Sequence, residues 1–262
     1  MLSRFRLFSA TLLTVSSLAA AADPQPLPAS PQSAPTQAIL SYKFSERSAG
    51  FAAGFADYPA GQETFFELQA DYRELPKYLG GKRALFISGN NHSDDLFMFV
   101  KNRIGGLRPG GAYAVTLQIQ IASNAPNGSV GIGGSPASSV YLKAGVTNVE
   151  PVAVNRDGFL EMNVDKGVQS QPGEDAQVLG NIGVDTTTDA AGTSRYVLKN
   201  FRSQQFLVEA DSAGNLWLFT GTDSGFEGTT SIYFTRIKAS LRDVGSIVRI
   251  PEGEAGKPVQ MK

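Results

Sequence analysis

From Ala38 onward, apolar residues fall in short runs that alternate with polar ones at a period of two. The clearest run is 112–122, where Val115, Leu117, Ile119 and Ile121 alternate with Thr116, Gln118 and Gln120. That spacing predicts a strand with one apolar face turned inward and one polar face turned outward. Pro109-Gly110-Gly111 before it and Asn127-Gly128 after it are turn signals. Runs at 38–44, 64–69, 84–88 and 96–101 precede it. Others at 138–143, 146–154, 159–164, 178–184, 196–200 and 205–210 follow with the same β-branched and aromatic texture. Two further runs, 214–220 and 229–238, flank a glycine- and acid-rich stretch at 221–228, which reads as a loop, and the first of them carries Trp217. Residues 50–61, dense in Gly, Ala and aromatic residues, also read as a loop. Asn155-Arg156-Asp157-Gly158 and the stretch 211–215 read as hairpin turns. No segment keeps a 3.6-residue apolar period over three turns, so helix is expected to be minor. About a dozen strands at turn-punctuated spacing predict an all-β chain, a two-sheet antiparallel β-sandwich of jelly-roll-like topology.

The two ends have a different texture. Residues 1–22 combine Arg4 and Arg6, an apolar stretch over 7–18, and Ala20-Ala21-Ala22 ahead of Asp23. This is the three-part pattern of a secretory signal peptide. Its apolar part is too short and too interrupted by Ser and Thr for a stable membrane span. Residues 23–37 contain five prolines and almost no large apolar side chain, which reads as a semi-extended linker. Residues 38–249 are expected to form a single β-sandwich domain, and 250–262, with two prolines and two glycines, a flexible tail. The expected localisation is periplasmic or secreted, with no membrane span in the mature chain.

Composition narrows the partners. The 262 residues are 42% apolar and include no cysteine, so an exported domain would be held by its core without disulfides. Basic and acidic residues number 23 and 24, a net charge of −1. Loss of Arg4 and Arg6 with the leader gives 21 against 24, or −3. No clustered basic charge is visible along the chain, and nucleic acid is not an expected partner.

Two stretches offer oxygen-rich side chains. Residues 89–95 hold the sole histidine, His92, next to Asp94 and Asp95, and residues 221–228 hold Asp223, Ser224 and Glu227. Hard cations such as Ca²⁺ take six to eight oxygen ligands without strict geometry, so Asp94, Asp95, Asp223 and Glu227 are the candidate metal ligands and Ca²⁺ the candidate cofactor. The same loops read equally as solvated turns whose Asn and Asp side chains bond their own backbone. One His and no Cys leave zinc without ligands. Of the 16 Phe and 8 Tyr, most sit at apolar alternation and are expected in the core. Phe51, Phe55, Tyr58 and Phe226 lie instead in glycine-rich stretches, where a flat aromatic face suits a sugar ring.

Two family resemblances add to this. Asp223-Ser224-Gly225, with His92 upstream, resembles the nucleophile segment of trypsin-like proteases but lacks the flanking glycines that shape the oxyanion hole in that family. Tyr72-Arg73-Glu74-Leu75, Gln118-Ile119-Gln120 and Tyr141-Leu142-Lys143-Ala144-Gly145 resemble, in order, the three signature strands of the jelly-roll polysaccharide lyases that act on alginate. The resemblance implies the jelly-roll fold and a polysaccharide ligand, with Arg73, Tyr141 and Lys143 as candidate binding residues. Gln120 stands where that family has histidine and Thr147 where it has the catalytic tyrosine, so the acid and base of a lyase are missing. The expectation is an exported, non-catalytic binding module for a glycan or another small polar ligand, with Tyr58, Phe226, Arg73, Tyr141 and Lys143 as ligand contacts. The alternative is a lyase-like, polysaccharide-degrading enzyme on the same fold.

Overall fold

The computed structural model describes residues 37–45 and 50–245. The expected leader, nearly all of the proline-rich segment and the expected tail lie outside the described residues. In chain order the strands are β1 (Gln37–Lys43), β2 (Ala52–Ala56), β3 (Tyr58–Pro59), β4 (Gln69–Glu74) and β5 (Arg83–Asn90). Next come β6 (Leu96–Ile104), β7 (Ala112–Ser123), β8 (Val140–Thr147), β9 (Ala153–Arg156) and β10 (Phe159–Met162). The last five are β11 (Ala176–Asn181), β12 (Val197–Arg202), β13 (Phe206–Glu209), β14 (Leu216–Ser224) and β15 (Thr229–Gly245). One 3₁₀ turn, Lys77–Leu79, accompanies them. No helix among the described residues is long and apolar enough to cross a membrane.

Two antiparallel sheets face each other. The seven-stranded sheet runs β12-β7-β15-β5-β4, with β1 added on β15 and β13 on β7. The five-stranded sheet runs β11-β8-β14-β6-β2. Successive strands from β5 to β8, and again β14 and β15, alternate between the two sheets, which is the jelly-roll habit the sequence predicts. A small third sheet, β3-β10-β9, completes the set.

The alternation in β7 is observed: Val115, Leu117, Ile119 and Ile121 are fully buried, while Thr116, Gln118 and Gln120 are half-exposed. Across the sandwich they join Leu96, Met98, Val100, Leu142, Leu216 and Leu218 in one apolar core. A second, smaller cluster of Phe97, Phe99, Phe219, Met162 and Val164 lies elsewhere. Phe97 and Phe99 alternate with Met98 and Val100 along β6, so this cluster covers the outer face of the five-stranded sheet.

The structure breaks the run expected at 146–154 into the end of β8 and the start of β9, and it differs from the sequence reading in three further places. Residues 50–61 are not a loop: β2 pairs with β6, and Gly54 is needed there because an added Cβ would press on the Phe99 ring at 2.5 Å. The stretch 64–69 is mostly turn, with Glu67 in the left-handed region (φ 50°), and the strand begins at Gln69. Residues 221–224 belong to β14 and not to a loop: Gly221–Ser224 pair with β6 on one side and β8 on the other.

Candidate functional site

The last correction relocates Asp223. In register, Lys143 stands opposite Gly221, and Tyr141 opposite Asp223, so all four point to the same outer face of the five-stranded sheet. Lys143 and Asp223 are both fully buried there, and Lys143 Nζ lies 2.8 Å from Asp223 Oδ2. Residues 165–175 fold over this pair. Lys143 Nζ donates to the carbonyls of Lys166 and Gln171, each at 2.9 Å. Lys166 Nζ donates to Asp223 Oδ2 at 2.9 Å and to the Gly167 carbonyl at 3.1 Å. The Gln169 N–H donates to Asp223 Oδ2 at 3.0 Å. The Asp165 carboxylate braces the segment by accepting the N–H groups of Gly167 and Glu174, each at 2.9 Å.

Two further carboxyl groups complete the cluster. Asp57 Oδ2 is 2.8 Å from Lys166 Nζ, an ion contact whose angles do not make a hydrogen bond. Asp95 Oδ1 is 4.0 Å from the same nitrogen. Burial, and then the neighbouring Asp223 charge, push the Asp95 carboxyl up to about 8, so it holds a proton at neutral pH. Burial likewise raises Asp57, against the pull of Lys166. Burial would raise Asp223 too, but the ammonium groups of Lys166 and Lys143 outweigh it and hold that carboxyl below its ordinary value. Burial lowers Lys143. It works against the charge on Lys166 as well, but Asp223, Asp57 and Asp95 together raise that group. With Asp95 protonated, two carboxylates face two ammonium groups.

Of the four candidate metal ligands, Asp95 and Asp223 come together, joined by Asp57, with oxygen atoms of the three within 4.8 Å of one another. Asp94 and Glu227 are exposed and outside that group. The donor set fits the lysines better than Ca²⁺, because Lys143 and Lys166 already supply the positive charge and Lys166 lies against all three carboxyl groups. Asp57, Asp95 and Lys166 also line a cleft of about 470 Å³ with Arg156 and Glu161.

The other candidate ligand contacts are dispersed. Tyr58 is 4% exposed, and its hydroxyl donates to Glu63 Oε1 at 3.3 Å, so it offers no platform. Phe226 is half-buried against the core, beside Gly131 and Gly228. Arg73 lies on β4 in the other sheet, 3.9 Å over the Phe86 ring and 2.8 Å from Asp71. Tyr141 shares a face with Lys143 but not with Arg73, so the three lyase-like residues do not share one sheet. Ser224 is buried and donates to the Phe226 carbonyl, while the His92 ring stacks on Phe65 at 4.2 Å.

A second feature went unmarked in the sequence. On the outer face of the seven-stranded sheet, register aligns Asn200, Gln120, Arg236 and Lys43 in one cross-strand row. Arg202, Gln118, Lys238 and Ser41 form the next. Arg236 reaches this face through a bulge in β15: Phe234 points inward, the register shifts at Thr235, and Arg236 then points out. Gln120 is oriented by donating to Asn200 Oδ1 at 3.0 Å and accepting from Thr235 Oγ1 at 2.9 Å. Two clefts of about 450 and 260 Å³ open here, sharing Gln120 and Arg236. Arg202 adds positive charge to the first, Lys43, Lys82 and Arg83 to the second, and neither has a carboxylate in its wall. Nearby on the same sheet, Tyr233 packs edge-on against Tyr196, and Tyr78, itself half-exposed, accepts the Tyr196 N–H at 2.8 Å.

No protein-family model matches the chain, and no curated protein sequence matches it. Solved structures with related architecture include a mannan-recognising carbohydrate-binding module, 11% identical over 79% of this chain and 98% of that one, with a TM-score of 0.36. A xylan-binding domain from Paenibacillus barcinonensis is 14% identical over 81% and 98%, at 0.35. An adhesin domain of Lys-gingipain from Porphyromonas gingivalis is 9% identical over 77% and 97%, at 0.36. Likeness of this degree bears on neither ligand nor activity.

Proposed function

We propose that the protein is an exported, non-catalytic carbohydrate-binding module that takes an acidic polysaccharide along the outer face of its seven-stranded sheet. One observation carries the reading: two adjoining clefts are lined by amides and by five basic side chains, with no carboxylate among them. Gln118, Arg202, Arg236 and Lys43 make no side-chain hydrogen bond or ion pair to another described residue, so their donors are free for a ligand. Guanidinium groups pair with carboxylate or sulfate in two parallel bonds, and planar amides suit vicinal hydroxyls. Strands about 4.8 Å apart set these groups at intervals along an extended chain. Tyr78, 48% exposed nearby, gives a sugar ring an aromatic surface.

Affinity electrophoresis in gels containing polygalacturonate, heparin, mannan or no polymer tests this, with DNA as the competing polyanion. Retardation by an acidic polysaccharide, weakened by salt and lost in Arg236→Ala, is the expected result. Retardation by DNA alone, or by none of the polymers, overturns it. The same polymers, incubated with the protein and assayed for unsaturated chain ends, test the non-catalytic part. A rise in such ends overturns that part and restores the lyase alternative.

A further inference from the structure

The two oxygens of Asp223 have unlike surroundings. Oδ2 meets three nitrogens: Lys143 Nζ at 2.8 Å, Lys166 Nζ at 2.9 Å and the Gln169 N–H at 3.0 Å. Oδ1 is buried and has no hydrogen-bond partner. The Asp95 carboxyl lies beside it: oxygens of the two groups are within 4.8 Å, and Asp95 Oδ1, like Asp223 Oδ1, is buried without a hydrogen-bond partner. Lys143 and Asp223 are each fully buried, so the contact excludes water.

We propose that Lys143 and Asp223 condense to an amide, cross-linking β8 to β14 through their side chains. A plain ion pair needs only the two charges. Here there is also a pair of donors on one carboxyl oxygen and an acid beside the other, the arrangement that acyl transfer requires. Asp95 passes its proton to Asp223 Oδ1 and takes one from the Lys143 ammonium, which leaves a neutral amine beside an uncharged carboxyl group. The amine attacks Asp223 Cγ, and the negative charge that develops on Oδ2 is held by the Lys166 ammonium and the Gln169 N–H. Asp95 gives its proton to the Oδ1 hydroxyl, the Cγ–Oδ1 bond breaks, water leaves, and Asp95 takes a second proton from the Lys143 nitrogen. That nitrogen goes from three hydrogens to one, the two it loses match those of the water, and no other reactant is consumed. Burial lowers Lys143 toward the amine form that attacks. Holding the partners in contact replaces a bimolecular encounter, and a dry site disfavours the reverse hydrolysis.

Mass spectrometry of the purified full chain, denatured, decides the matter. The expected mass is lower by one water than the sequence requires for whatever N-terminus is found. A tryptic digest is expected to contain one branched peptide joining the segments around Lys143 and Asp223, with no cleavage after Lys143. Full mass with both linear peptides present overturns the proposal and leaves a buried ion pair. Asp95→Asn keeps the shape of the site and is expected to restore full mass in a protein that still melts cooperatively. Loss of water from that variant overturns the role given to Asp95. Lys143→Arg, which keeps a positive charge, is expected at full mass in any state of folding.

Discussion

Lys166 Nζ and Asp57 Oδ2 meet at 2.8 Å, joining residues 165–175 to the turn between β2 and β3. Asp57 holds a left-handed backbone (φ 65°), a conformation that a non-glycine residue adopts at a cost of about 1–3 kcal/mol. Both side chains are nearly buried where they meet, at the wall of the cleft.

Lys166→Met is therefore expected to be severe. It would leave the Asp57 and Asp223 carboxyl groups in a dry site without their shared counter-charge. Breaking a buried pair in this way costs about 3–5 kcal/mol, read from urea denaturation. A change below about 1 kcal/mol would mean that water reaches the cluster.

The two faces of β7 are expected to respond unequally. Ile119→Ala opens a cavity in the main core and should cost about 2–5 kcal/mol. Gln118→Ala, on the groove side, should stay within about 0.5 kcal/mol. Comparable losses in denaturant melts would show that both faces are packed.

Binding should follow the groove's free donors. A hydrogen bond to a charged group contributes about 1.5–3 kcal/mol, so Arg202→Ala and Arg236→Ala should each weaken binding of an acidic polysaccharide roughly ten- to hundredfold in calorimetry. Arg156→Ala, on the opposite cleft, should leave affinity unchanged.

Alkaline pH supplies a fourth test. Burial, and then Glu63, push the Tyr58 hydroxyl up to about 12. Its folded value lies above its unfolded one, near 10, so its contribution is complete below about 10 and disappears as pH rises toward 12. Tyr58→Phe should shift the alkaline unfolding transition to higher pH in circular dichroism. An unmoved transition would show that Tyr58 ionises without strain.

Strand β7 and the sandwich were legible in the sequence because a half-buried strand writes its two faces as alternation. β2 was hidden because Gly54, chosen so that the Phe99 ring can lie on the backbone, looks locally like loop chemistry. Thr222, Asp223 and Ser224 likewise carry a turn composition, and only pairing with β6 and β8 makes them strand. Asp57 and Lys166 lie far apart along the chain, so no local pattern could join them. The groove left one readable trace. In β15 the buried positions are even at Ile232 and Phe234 but odd at Ile237, Ala239 and Leu241, and that change of parity marks the bulge that turns Arg236 outward.

β15 also sets the order in which the molecule can assemble. It pairs with β1, β5 and β7, so the middle of the seven-stranded sheet is supplied by the last described segment of the chain. Until Thr229–Gly245 is available, β1 has no partner strand, and β5 and β7 each lack one neighbour. Long-range pairing of this kind folds slowly. The seven-stranded sheet therefore closes last, once the strand that occupies its middle has been made.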